Sequence, residues 1–349
     1  MENKLVLFGA GDIGRKSVEY FGAQRIRFII DNYKGGQCLA GVPVISYEDF
    51  VGTGYKGKII VSVSKSLFPE IKQQLENDKY TEVEPLRVDV DEWYQPNPHL
   101  QNLRDIHKGK RCFIVGNGPS LTFSDLAKLR RNREISFGFN GVYKAFDRTA
   151  WRPTYFMAGD RAFIDQHMEK LQNLDSVFIM DAPCPGPGLA GKNFYQFSTE
   201  WVHCEGPGGD LNSRYDISGA AYPAFSEDPS RFIYNGGTVA YAALQFAVYM
   251  GVSAIYLLGV DLSYSSHNLR LFEAVRTHLA DESVSQDHFI ENYYEKGDTF
   301  FAHDTGRMHM AFAYAEKYSR VHGFRIYNAA RGGRLEAFER VDFDSLFAG

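Results

Sequence analysis

The chain is poor in several things that would narrow its function at once. It has four cysteines in 349 residues, Cys38, Cys112, Cys184 and Cys204, widely spaced and with no Cys-x-x-Cys pair. That spacing disfavours a zinc site or a disulfide framework and predicts free thiols in a reducing compartment. It also lacks a surplus of positive charge. With 38 Lys and Arg against 43 Asp and Glu the formal charge is −5, and basic clusters such as Lys108-Gly-Lys110-Arg111 and Arg130-Arg131 are short. A nucleic-acid partner is therefore not expected. Long hydrophobic runs are missing too: the longest apolar helical stretch, Val239 to Met250, is too short to span a bilayer. A strand opens directly at Lys4, with no leader pattern before it, so the expected location is the cytoplasm.

What the chain does have is length for two domains, an ordinary globular balance (44% hydrophobic, 23% charged) and many aromatics, with 21 Tyr and 27 Phe. The expected fold class is α/β, two Rossmann-like domains with mostly parallel sheets. The first spans residues 1–98 and ends in the Pro-rich segment Trp93-Tyr-Gln-Pro-Asn-Pro98, read as a linker; the second spans 99–349.

The first domain opens with the apolar run Leu5–Phe8, the turn Gly9-Ala-Gly11-Asp-Ile-Gly14, a helix-compatible stretch to Tyr20, and a strand from Ile26 that ends at Asp31. Strand, GxGxxG turn, helix, strand, acid is the opening of a dinucleotide-binding fold. Gly9, Gly11 and Gly14 permit the tight turn, the helix N-terminus favours an anion, and Asp31 could hold ribose hydroxyls. The motif is equally that of a structural unit with an empty site, since fewer than 100 residues follow without a hydride-transfer partner. A non-catalytic sensor and an NAD-linked oxidoreductase both stay open on this evidence. The turn, Ile30-Asp31-Asn32, Gly41-Val-Pro-Val44 and Tyr47-Glu-Asp49 resemble the small N-terminal domains of bacterial sugar acyltransferases over about the first 60 residues. That resemblance implies contact with a nucleotide-sugar.

The second domain restarts the pattern. Strand Arg111–Val115 runs into Gly116-Asn117-Gly118-Pro119-Ser120, then a helix over Asp125–Arg130. The glycines let backbone approach a phosphate, Pro119 suits a first helical position, and Ser120 could donate to a phosphate oxygen. An ordinary strand-to-helix turn would look the same. Strands Ile135–Phe139 and Tyr155–Ala158 end in Asn140 and Gly159-Asp160, so Asn140 and Asp160 should point into the crevice at the carboxyl ends of the sheet, unless they only cap loops. Residues 183–209 are rich in Gly and Pro and residues 206–229 have little periodicity, which reads as a lid, an acceptor-binding loop or a passive excursion. Gly236-Gly237-Thr238 before the helix Val239–Met250 is a second anion-binding candidate. The strand Ser253–Leu258 leads to Gly259-Val-Asp261 and on to Tyr264, with Asp261 facing the crevice and Tyr264 able to donate to phosphate. His267 and His278 dot a polar insertion; His288, His303 and His309 are the proton-transfer candidates, and their spacing does not suit a metal pair on one helix.

In this order, Ile114-Val-Gly-Asn-Gly-Pro-Ser-Leu121, Asn140, Gly236-Gly-Thr238 and Ile255-Tyr-Leu-Leu-Gly-Val-Asp261 resemble the bacterial sialyltransferases that use CMP-activated sugars. They resemble equally the 6-hydroxymethylpterin diphosphokinase-type domain that also occurs in flagellin-modifying glycosyltransferases. The likeness runs from about Arg111 to Phe347. The first resemblance implies that Asn117, Ser120 and Asn140 hold the nucleotide, Tyr264 steadies the leaving phosphate, and a histidine, best matched by His303 with His288 as the substitute, deprotonates the acceptor. It implies a nucleotide-sugar donor, a glycan or protein acceptor in surface-glycan or protein glycosylation, peripheral membrane association through that acceptor, and no required cofactor. Asp287-His288-Phe289 looks more like the diphosphokinase-type domains, which implies instead a phosphotransferase using ATP and Mg²⁺ with Asp160 and Asp261 near the metal. Metal ligands and the oligomeric state stay open.

Overall fold

In a computed structural model the described residues are 4–64, 67–181, 193–200, 222–264, 277–279, 287–291, 293–294, 299–301 and 305–348. They fall into two compact units, one within Met1–Gln95 and the other within Pro96–Glu200 and Tyr222–Gly349. Both are α/β with mostly parallel sheets.

The first unit carries strands β1 (Leu5–Phe8), β2 (Ile26–Asp31), β3 (Cys38–Leu39), β4 (Val42–Ser46), β5 (Ile59–Val61) and β6 (Val83–Pro85) in the order β3-β4-β2-β1-β5-β6. Only the β3–β4 pairing is antiparallel. Helices α1 (Asp12–Phe21), α2 (Tyr47–Gly52), α3 (Phe68–Asn77) and α4 (Val90–Trp93) accompany them. Alternate strand residues enter different cores: Val6, Phe8 and Ile30 pack with Phe50 and Leu75, while Leu7 and Ile29 pack with Val18 and Val44. In the segment read as a linker, Trp93 and Tyr94 are buried and Trp93 packs on Tyr20. Of the cysteines, Cys112 is a buried free thiol and Cys38 an exposed one; Cys184 and Cys204 lie outside the described residues.

The second unit begins with α5 (Pro98–Gln101) and is built on strands β7 (Arg111–Val115), β8 (Ile135–Phe139), β9 (Tyr155–Ala158), β10 (Val177–Asp181) and β11 (Phe194–Phe197). The short pair β12 (Thr199–Glu200) and β13 (Ile233–Tyr234) precedes β14 (Ala254–Leu258), and a second pair, β15 (Thr277–Leu279) and β16 (Thr299–Phe301), precedes β17 (Arg325–Asn328) and β18 (Glu339–Arg340). Eight of these make one sheet, β11-β10-β9-β8-β7-β14-β17-β18, and every pairing in it is parallel. A parallel sheet needs both faces covered, and strand alternation provides for it. Cys112, Ile114, Phe137 and Met157 face a core with α8 (Val239–Tyr249) and α9 (Thr305–His322). Phe113, Val115, Phe156 and Phe178 face a core with α6 (Phe123–Arg131) and α7 (Arg161–Leu171).

The strand order decides where a ligand can sit. The chain starts in the middle of the sheet at β7, moves outward through β8 to β11, then returns to the other flank of β7 at β14. The carboxyl ends of β7 and β14 are therefore the switch point of the sheet, the place where open α/β sheets hold ligands. Among the described residues no helix is long and apolar enough to cross a membrane.

Candidate functional site

The turn after β7 and the turn after β14 are fastened to each other at this switch point. Gly116 N–H donates to Leu258 O at 2.8 Å and Gly118 N–H to Gly259 O at 2.8 Å. The backbones come so close that a Cβ on Gly116 would strike the Gly259 carbonyl, and one on Gly118 would strike the Asp261 carboxylate. Glycine at these two positions is a requirement of close approach.

Asp261 is buried, 4% exposed, and its carboxylate accepts from both donors of one residue: Ser120 N–H at 2.8 Å and Ser120 Oγ–H at 2.5 Å. The Ser120 hydroxyl, expected to donate to a phosphate, thus donates to Asp261. Pro119 also differs from expectation. Helix α6 starts at Phe123, just before the expected Asp125 and past Pro119, because Thr122 and Asp125 form a capping box, so Pro119 lies in the turn and outside the helix. Asp125 is then held by Arg331 at 2.7 Å.

On the other side of the turn the Asn117 amide nitrogen donates to Phe139 O and to the Tyr293 hydroxyl, each at 3.1 Å. The same hydroxyl accepts Gly141 N–H at 3.2 Å, and Asn117 O accepts Phe289 N–H at 3.0 Å. Tyr293 therefore ties the β7 turn to the β8 turn, and Lys144 Nζ donates to its carbonyl at 2.7 Å. A Cβ on Gly141 would lie 2.5 Å from the Tyr293 ring, so this glycine makes room for the phenol. The His288 ring stacks on Tyr293 with centroids 3.7 Å apart and planes 5° apart, and Tyr294 meets both rings edge-on.

Burial pushes the Tyr264 phenol well above its ordinary range, and Asp287 and Asp261 push it further the same way. Burial does the same to Tyr293, opposed by the Gly141 N–H and Asn117 donors and reinforced by Tyr264. Tyr294 is raised by burial first and then by neighbouring Tyr293, Tyr264 and Asp160. These phenols keep their protons at neutral pH.

The structure thus brings Gly116, Asn117, Gly118, Ser120, Asn140, Asp160, Gly259 and Asp261 to the ends of four adjacent strands, with Tyr264 and His288 close by. Asp160 caps the start of α7, whose Phe163 N–H reaches it at 3.4 Å. Gly236, Gly237 and Thr238 sit at the α8 N-terminus on the same rim; Thr238 accepts from Ala240 N–H, and Gly237 N–H donates to Asn235. The N-terminus of α9 adds a residue that the sequence did not single out, the buried Arg307, whose side chain packs near Gly237. Tyr293, Tyr294 and Lys144 were missed as well. The sequence signal was slight: a Tyr-Tyr pair in a polar stretch without periodicity. His303 lies outside the described residues, as do His267 and the side chain of His278, while His309 lies on α9.

A cavity of about 290 Å³, lined by Arg104, Glu227, Tyr249 and Tyr318 among others, lies at the opposite rim, where α8 and α9 end. Size does not make it the reaction site: the switch-point turns are on the other rim.

In the first unit, Gly9 (φ +111°) is pressed against β5, where a Cβ would lie 2.7 Å from Ser62 O, and a Cβ on Gly14 would strike Gly9. A Cβ on Gly11 would meet nothing. Asp31 accepts Ala10 N–H at 2.7 Å with one oxygen and Tyr33 and Lys34 N–H at 2.9 and 3.1 Å with the other. Its carboxylate braces the glycine turn, and Lys34 Nζ donates to Ala10 O at 3.0 Å. A cavity of about 130 Å³ opens beside this turn, lined by Gly11, Arg15 and Lys34 among others.

Residues 84–267 match the family described as 6-hydroxymethylpterin diphosphokinase MptE-like. No curated protein matches the chain. Among solved structures the MAf glycosyltransferase from Magnetospirillum magneticum AMB-1 is similar, with 13% identity, a TM-score of 0.42, and coverage of 98% of this chain. This chain spans 58% of that protein's length.

Proposed function

The chain belongs to the 6-hydroxymethylpterin diphosphokinase MptE-like family, and from that premise we propose that it is a glycosyltransferase using a nucleotide-activated sugar, CMP-linked, with a glycan or protein acceptor. The observation that carries the choice over phosphotransfer is the state of Asp261. A phosphotransferase using Mg²⁺ would draw on Asp160 and Asp261 around the metal. Asp261 is instead buried with both oxygens engaged by Ser120, which leaves Asp160 as the acid of that pair at the crevice.

Transfer from a nucleotide-sugar asks for less. The bond from the anomeric carbon to phosphate oxygen breaks with oxocarbenium-like charge on the sugar, and the acceptor hydroxyl attacks as it loses its proton. Protonated phenols suit the leaving phosphate, and Tyr264 and Tyr294 stand at the crevice in that state. A histidine takes the acceptor proton. His303 has that role in the resemblance, and His288 stands on the phenol cluster as the alternative. Arg307 and the Gly236–Thr238 turn supply positive potential on the same rim.

The test is thermal stabilisation of the whole protein. CMP or CDP should raise the melting temperature without metal, and a screen of CMP-, UDP- and GDP-sugars should release free CMP. Stabilisation by ATP only when Mg²⁺ is present, with no nucleotide released from any sugar donor, would replace this reading with the phosphotransferase.

A further inference from the structure

The hydrogen bonds of the β7 turn say which part of a ligand it can hold. Asn117 Oδ1 and Asn140 Oδ1 are both buried, and no donor among the described residues reaches either. The orientation of the Asn117 amide is fixed by chemistry: its nitrogen faces the Phe139 carbonyl at 3.1 Å, where an oxygen would meet another acceptor. Tyr293 holds the same nitrogen from a second side. The amide oxygen is thus presented as an acceptor that cannot turn away. Asn140 stands at the end of the neighbouring strand with φ +44°, at the start of a 3-10 turn.

A buried acceptor without a donor is costly, and it is relieved by a ligand that brings N–H or O–H groups. A phosphate brings acceptor oxygens and negative charge. It would face the Asn117 carbonyl, and beside it the Asp261 carboxylate that abuts Gly118. We infer that Asn117 and Asn140 grip a hydrogen-bond-donating part of the nucleotide, its ribose hydroxyls or the amino group of its base, and that the phosphate lies away from the Gly116–Ser120 turn. The glycines of that turn then serve the approach of β14, and Tyr293 is a positioning residue that sets the Asn117 amide. The inference rests on the nucleotide reading of the site and sharpens it.

The test begins on the unaltered protein with whichever of CMP, GMP and AMP binds best by calorimetry. Its 2′,3′-dideoxy form and its base-deaminated form are then measured. Loss of tenfold or more in affinity with the first assigns the grip to ribose, and with the second to the base. If both bind within twofold of the parent, the inference fails while the nucleotide reading stands. If no nucleotide binds at all, the nucleotide reading fails and takes the inference with it. Asn140→Asp supplies the second arm, because it keeps an acceptor and adds charge. Nucleoside and nucleotide should then change in parallel, within about threefold of each other. A tenfold loss for the nucleotide with the nucleoside unchanged would place the phosphate at Asn140 and overturn the inference.

Discussion

Ser120 and Asp261 are 141 positions apart and act as one unit, a hydroxyl and an N–H closing on a buried carboxylate. Hydrogen bonds to a charged group contribute about 1.5–3 kcal/mol each. Ser120→Ala should therefore destabilise the protein by roughly that amount, read from urea denaturation; a change under about 0.5 kcal/mol would show that the carboxylate finds another donor. A second prediction at this scale separates the two histidines. A positioned imidazole is worth about 10²–10⁴-fold in rate. His303→Ala should lower turnover at least roughly tenfold with nucleotide affinity little changed, since the base acts on the acceptor. His288→Ala should be milder on turnover. If His288→Ala is the inactive variant while His303→Ala works, the base is the ring stacked on Tyr293.

At the scale of elements, the sequence was most legible where an apolar run was bounded by a sharp turn. Leu5–Phe8, Arg111–Val115, Ile135–Phe139 and Tyr155–Ala158 are strands with the expected bounds. The start of α6 was less legible, because two capping arrangements competed within six residues: Pro119 at a first turn, and Thr122 with Asp125. Reciprocal hydrogen bonds decide for the second. Thr122→Ala should cost about 1 kcal/mol, seen as a lower melting temperature, and leave nucleotide affinity unchanged because the cap begins after the ligand-facing turn. A matching loss of affinity would show that α6 and the turn move together.

At the scale of the whole molecule, buried phenols make stability depend on alkaline pH. Tyr241 and Tyr293 are buried, and burial holds both well above the ordinary phenol value of about 10. Below that value both folded and unfolded chains keep the protons and stability is unaffected. Above it the unfolded chain ionises while the folded one does not, so the unfolded state binds fewer protons and stability falls as pH rises, by about 1.4 kcal/mol per unit for each such group. Denaturation followed from pH 8 to 11 should show this fall beginning near 10, and Tyr241→Phe should make it less steep. A fall equally steep in that variant would assign it to other groups.

Composition, strand pattern and the two glycine turns determined by themselves that this chain is α/β with mostly parallel sheets, and which residues end its strands. Those features are local: a run of four or five apolar residues and the turn after it carry their own signal. Family membership rests on a match over residues 84–267. Only the tertiary structure decided what the polar residues at the strand ends do. Whether Ser120 faces a ligand or Asp261, whether Asp31 is open or braces its own turn, and whether Tyr293 belongs to the site at all depend on which strands become neighbours. That choice is made by strand order in the sheet, and no residue spacing records it.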